Sequence, residues 1–198
     1  MDHKNSGFSE SKLSPKPSTL SKLSAASGLL WIVIAFALIH FLHEQSALEI
    51  LSDGSSIWVQ ILTGVLAGWI FGEIGRWMFR NPKLKQTLDD YLIIKELKRF
   101  SLSNPQILQI SIIAGISEEI LFRAAIQPLI GIWLTSLIFI GVHGYIRFKT
   151  FGQTIFTLFT FLLSVLLGLL FIQFGIISAI LAHAIYDIIL LRELKNLK

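Results

Sequence analysis

Positions 153–174 constrain the fold more than any other stretch. These twenty-two residues contain no charged side chain. A helix of that length reaches about 33 Å, enough to cross a hydrocarbon core of about 30 Å. Five more apolar segments lie at about 25–42, 57–79, 110–132, 132–145 and 176–191. The 198-residue chain is 53% hydrophobic, with a mean hydropathy of +0.67. Only 15% of its residues are charged, against about 25% in soluble domains. The expected fold class is all-α: a polytopic membrane protein of about six transmembrane helices. The later segments argue against reading the first as a cleaved signal peptide.

Charge sets the expected topology. A net charge of +4 would suit nucleic acid, but the basic residues flank apolar segments, so the expected partner is the bilayer and no nucleic acid. Threading six spans puts sixteen of the seventeen Lys and Arg residues on one side, with Arg123 the exception. The positive-inside rule then places both termini in the cytoplasm of a multi-pass plasma-membrane protein. Residues 1–24, rich in Ser and Lys with Pro15 and Pro17, are expected to be a disordered cytoplasmic tail. Residues 25–192 form one membrane-embedded domain, and 193–198 a short cytoplasmic tail. Within 83–100, Leu84, Leu88, Tyr91, Leu92 and Ile94 alternate with Lys85, Lys95, Lys98 and Arg99. That pattern predicts an amphipathic interfacial helix. Gly64, Gly68 and Gly72 share one face of the second span and invite close approach by another helix.

The third span carries Glu118, Glu119 and Arg123. A charge near the bilayer centre costs roughly 2.5 kcal/mol or more, so such residues face protein or a wet cavity and mark function by default. Glu119 and Arg123 are i, i+4 and suited to an ion pair. Glu118 points about 100° away and is left free to act as a base. Counting residues from the cytoplasmic edge puts Glu118 roughly 9 Å deep, His143 roughly 6 Å, His183 roughly 13 Å and Asp187 roughly 7 Å. Groups from three helices thus share one shallow layer. His183 and Asp187 are also i, i+4, and Phe139 lies one turn before His143. Taken singly, His143 reads as a packed helix-end histidine, and His183 with Asp187 as an intrahelical hydrogen bond. Together the four point to a catalytic site. His40 and His43 with Glu44 read as interfacial on the opposite side, and Glu73 with Arg76 as a helix-end pair.

Glu118-Glu119-x-x-x-Arg123, Phe139-x-x-x-His143 and His183-x-x-x-Asp187 resemble the three motifs of the CPBP family of intramembrane proteases. That family includes type II CAAX prenyl endopeptidases and bacterial proteins linked to bacteriocin processing and immunity. The resemblance covers a motif core of about 106–191. It implies an intramembrane endopeptidase, a hydrolase acting on a membrane-associated peptide or protein from a site open to the cytoplasm. Glu118 would be the general base, His143 would help hold the attacking water, and His183 with residue 187 would stabilise the oxyanion. Glu119, Arg123 and Phe139 would support the site. The family often has Asn where this chain has Asp187. An ionised Asp donates no hydrogen bond, so Asp187 is protonated, orients His183 or contacts a metal. The favoured reading uses no metal; the alternative is zinc on Glu118, His143 and His183. Cysteine is absent, which excludes disulfides and thiolate ligands. The rival functions are a non-catalytic membrane immunity or binding protein and a proton-coupled transporter.

Overall fold

The computed structural model describes residues 17–197. Helix α1 is Pro17–Leu42, α2 Ala47–Ser52, α3 Ile57–Arg80, α4 Pro82–Leu88, α5 Leu92–Arg99 and α6 Asn104–Glu119. A π-helical segment, Ile120–Ile126, leads into α7, Gln127–Ile130. Helices α8, Ile132–Val142, α9, Phe151–Phe174, and α10, Ile176–Asn196, complete the chain. Among the described residues there is no strand, only an isolated bridge between Gly54 and Gly175. The fold is an all-α membrane bundle. Ser18–Leu42, Ile57–Arg80 and Phe151–Phe174 are long and apolar enough to cross a membrane. Helix α8, at eleven residues, reaches only about 16 Å and does not span on its own.

Helix α10 is held from two sides. On α3, a Cβ built at Gly68 would lie 2.5 Å from the Ala182 carbonyl oxygen, and one at Gly64 2.6 Å from that of Ser178. On α6, a Cβ at Gly115 would lie 2.9 Å from the Ile180 oxygen and 3.2 Å from Ala184 Cβ. Only glycine allows backbones this close, which maximises dispersion where hydrophobic expulsion contributes nothing. The glycine ladder of the second span therefore does what its spacing predicts. His183 lies between Ala182 and Ala184, at the level where both neighbours press on α10.

Helix α1 lays Gly28, Ala35 and Ile39 against α6 and the π segment. The π geometry has a local cause. Pro128 lies in the turn that follows. It has no N–H and would crowd the carbonyl of Ala124 in a regular helix, so the backbone widens upstream. The Gln127 N–H bonds Phe122, five residues back.

Three boundaries differ from expectation. Helix α1 begins at Pro17 rather than near residue 25. Proline suits a first helical position, and Leu20 and Leu23 gain a surface by lining an internal cavity. The remainder of the expected tail, 1–16, lies outside the described residues. At the other end, α10 continues past residue 192 to Asn196, because Glu193 pairs with Arg80 at 2.7 Å and Leu194 is buried. Finally, 83–100 is two short helices, not one. Asp89 caps α4, and Asp90 accepts a bond from Gln153 Nε2 at 2.8 Å. Tyr91 is drawn inside, 1% exposed, and donates to the Gln153 carbonyl at 3.3 Å. Burial pushes its hydroxyl above the ordinary tyrosine pKa. The Arg80–Glu193 pair and the bond from Lys195 Nζ to Asn104 Oδ1 at 3.1 Å gather basic residues of α3 and α10 at the end of the bundle where α6 begins.

Candidate active site

The two adjacent carboxylates diverge as helix geometry requires. Glu119 is fully buried and accepts from Arg123 Nε at 2.8 Å and from His183 Nδ1 at 2.7 Å. Arg123, also fully buried, donates to Ser164 Oγ on α9 at 2.9 Å and lies 5.3 Å from the centre of the Phe139 ring. Four helical segments are thereby tied through one buried ion pair. Such a pair costs desolvation, and leaving either charge alone would cost about 3–5 kcal/mol. Its stronger consequence is positional: it sets the ring of His183.

Glu118 faces the other way. Its Oε2 lies 3.3 Å from His143 Nε2 and 3.9 Å from His183 Nε2. That oxygen is buried and takes no hydrogen bond from the described residues. The reason lies on the far side of each ring. His143 Nδ1 donates to the Phe139 carbonyl at 2.7 Å, and His183 Nδ1 donates to Glu119. A neutral imidazole has one N–H, so each bond leaves Nε2 as an acceptor aimed at Glu118. Asp187 Oδ2 is 3.7 Å from His183 Nε2, too far for a hydrogen bond. Glu119, not Asp187, orients His183.

His143 owes its position to a helix end. It caps α8; the Gly144 N–H bonds Gly141 O at 2.9 Å and the Tyr145 N–H bonds Ile140 O at 2.9 Å. This Schellman turn needs a left-handed residue, which Gly144 supplies at φ +70°. The chain folds back, and the Tyr145 ring stacks on His143 with centroids 5.5 Å apart.

The residues of the three motifs come together. Glu118, His143, His183, Asp187 and Phe139 line one cavity of about 430 Å³, and Glu119 with Arg123 stands directly behind it. Leu20 and Leu23 of α1, Ile93 and Leu97 of α5, and leucines of α9 and α10 make most of the remaining wall apolar, interrupted by the hydroxyls of Ser24, Ser27, Tyr145, Thr160 and Tyr186. No spacing pattern singles out Ser164, which sits in the charge-free span. His43, expected to be interfacial, donates Nε2–H to the Ala125 carbonyl at 2.8 Å. It satisfies an acceptor of the π segment, whose irregularity no spacing rule foretold. Among the described residues no group of three His, Cys, Asp or Glu side chains is arranged to hold a metal ion.

The model of the type II CAAX prenyl endopeptidase Rce1-like family matches residues 100–189, which hold every one of these site residues. The chain is also 33% identical over 86 residues to YpbD of Bacillus subtilis (strain 168), itself named as uncharacterized. That likeness covers 43% of this chain and 43% of YpbD. No solved structure matches significantly. Through residues 100–189 the chain is similar to the Rce1-like family of type II CAAX prenyl endopeptidases.

Proposed function

We propose that the protein is an intramembrane endopeptidase that hydrolyses a peptide bond in a membrane-associated peptide or protein, with Glu118 activating the water. One observation carries the reading: Glu118 Oε2 converges with His143 Nε2 at 3.3 Å and His183 Nε2 at 3.9 Å on the wall of an apolar cavity. Three acceptors around one point hold a water by its two O–H groups and direct its lone pair outward. Glu118 takes a proton as the water oxygen bonds to the scissile carbonyl carbon, and the carbonyl π electrons move to oxygen. When the oxyanion collapses, the C–N bond breaks and Glu118 returns the proton to the leaving nitrogen. Glu119 and Arg123 hold His183 in register. Asp187 is suited to receive a substrate backbone N–H. The leucine-rich wall favours apolar residues beside the cleaved bond.

The basic ends of α3 and α10 support a cytoplasmic side for this end of the bundle and for both termini. Maturation of a membrane-active peptide such as a bacteriocin, or immunity to one, fits an apolar substrate. The reaction as written uses no metal; Glu118, His143 and His183 would be the ligands of a zinc ion, which would supply a polarised water.

The test uses protein reconstituted in liposomes and a panel of internally quenched peptides with apolar cores. Wild type is expected to cleave, and Glu118→Gln to lose about 10²–10⁴-fold in kcat. Undiminished cleavage by the variant removes Glu118 as base. Absence of cleavage by wild type removes the peptidase reading. A chelator should leave the rate unchanged; inhibition reversed by zinc would overturn the metal-free mechanism.

A further inference from the structure

The cavity side of the site is short of hydrogen-bond donors. Glu118 Oε2 and the Asp187 carboxylate are acceptors. The Nδ1–H of each histidine is committed behind it, to Phe139 O and to Glu119 Oε1. In neutral imidazoles both Nε2 atoms are therefore acceptors too. A doubly protonated His183 would carry an Nε2–H, with Asp187 Oδ2 at 3.7 Å and Glu118 Oε2 at 3.9 Å both beyond direct hydrogen-bond reach, and would be a single donor facing the water and the oxyanion alike. Yet addition of water to a carbonyl creates an oxyanion, and a preorganised donor for it is usually the largest single source of rate.

The hydroxyls of the cavity narrow the choice. Ser27 already donates to Ser24 O at 3.1 Å, and Thr160 to Phe156 O and Thr157 O, each at 3.0 Å, which leaves Ser24 at the α1 wall and two tyrosines. Tyr145 lines the cavity, and its O–H has no hydrogen-bond partner among the described residues. Its ring is fixed on three sides: stacked on His143, edge-on to Phe156 at 5.4 Å and to Tyr91 at 6.0 Å. Its carbonyl accepts from Thr157 Oγ1 at 2.6 Å, and its N–H closes the Schellman turn. Tyr186, the other cavity tyrosine, packs its ring against Phe159 at 6.2 Å and makes no ring contact with either histidine among the described residues.

We propose that Tyr145 is a further catalytic residue, whose O–H donates a hydrogen bond to the oxyanion formed at the scissile carbonyl. The proposal rests on the peptidase reading. The phenolic proton stays on Tyr145 throughout; the transferred proton is the one that passes through Glu118. The turn at Gly144 places base-side imidazole and oxyanion donor two residues apart, on one fold-back of the chain.

The experiment compares wild type, Tyr145→Phe and Tyr186→Phe in liposomes, using the cleavable peptides and a phosphinate peptide that mimics the tetrahedral intermediate. Tyr145→Phe keeps the ring and its stacking. Its kcat and its affinity for the phosphinate should each fall about 10²–10³-fold. KM and thermal midpoint should stay close to wild type. A Tyr145→Phe enzyme with full kcat and full phosphinate affinity overturns the proposal while leaving the peptidase reading intact. So does a loss seen only in Tyr186→Phe. A fall in thermal midpoint with unchanged phosphinate affinity would make Tyr145 structural and likewise overturn it. A wild type that neither cleaves nor binds the phosphinate overturns both readings.

Discussion

Gly68 and Gly72 offer a paired perturbation whose outcomes differ for a stated reason. In both, alanine adds a single methyl and, in a helix, gains up to about 1 kcal/mol over glycine. At Gly68 the new Cβ would lie 2.5 Å from the Ala182 carbonyl oxygen and 2.8 Å from its Cα. Both are backbone atoms, so α3 and α10 must separate by about 1 Å to reach ordinary contact. At Gly72 the nearest atom is Ile189 Cδ1, also at 2.5 Å, the end of a side chain that can rotate away; Ile189 Cβ at 3.1 Å then needs a shift of only a few tenths of an ångström, far less than at Gly68. Overpacking against backbone costs about 1–3 kcal/mol, so Gly68→Ala should be net destabilising and Gly72→Ala near neutral. The site should register the same contrast. Moving α10 by about 1 Å would stretch the 2.7 Å bond between His183 Nδ1 and Glu119 past the limit of a hydrogen bond. Misplacement on that scale costs on the order of 10²-fold in rate. The assay is thermal unfolding in detergent, followed by peptide cleavage in liposomes. Equal stability and equal kcat/KM for the two variants would refute the claim that α3 positions His183 through its glycines.

Further outcomes follow from other contacts. Arg123→Met should destabilise by about 3–5 kcal/mol, because Glu119 keeps a buried charge without its partner; adding Glu119→Gln should recover much of the thermal midpoint but not the cleavage rate. Gly144→Ala forces a left-handed φ of +70° on a residue with a Cβ, at about 1–2 kcal/mol, and kinetics should show a loss in kcat as His143 shifts. His43→Ala removes the bond to the Ala125 carbonyl; denaturation should reveal a loss of about 0.5–1.5 kcal/mol, with KM unaffected since His43 lies outside the cavity.

Much of the site was legible because helical spacing is rigid. The i, i+4 interval joins Glu119 to Arg123, and the 100° step sends Glu118 elsewhere; the structure shows both. Depth counting placed Glu118, His143, His183 and Asp187 in one layer, where they line one cavity. The interfacial segment was harder: its apolar spacing reads as one helix, but Tyr91 finds a buried seat against Tyr145 and Phe156. That long-range contact breaks the helix at Asp89 and Asp90. The start of α1 was missed for a similar reason. Leu20 and Leu23 are isolated in a polar stretch and acquire a partner surface only once α5 and α10 are in place.

Residue order alone dictates a membrane-embedded helical chain, its basic flanks and the intervals within each motif, since burial of apolar residues and helical pitch are its local consequences. Which carboxylate meets which ring nitrogen is settled by packing between distant helices. Glu119 holding His183 Nδ1, Ser164 holding Arg123 and Tyr145 folded onto His143 all depend on how closely separate helices approach. That distance is set by the glycines of α3 and α6 and by the turn at Gly144, through packing among residues far apart in the chain.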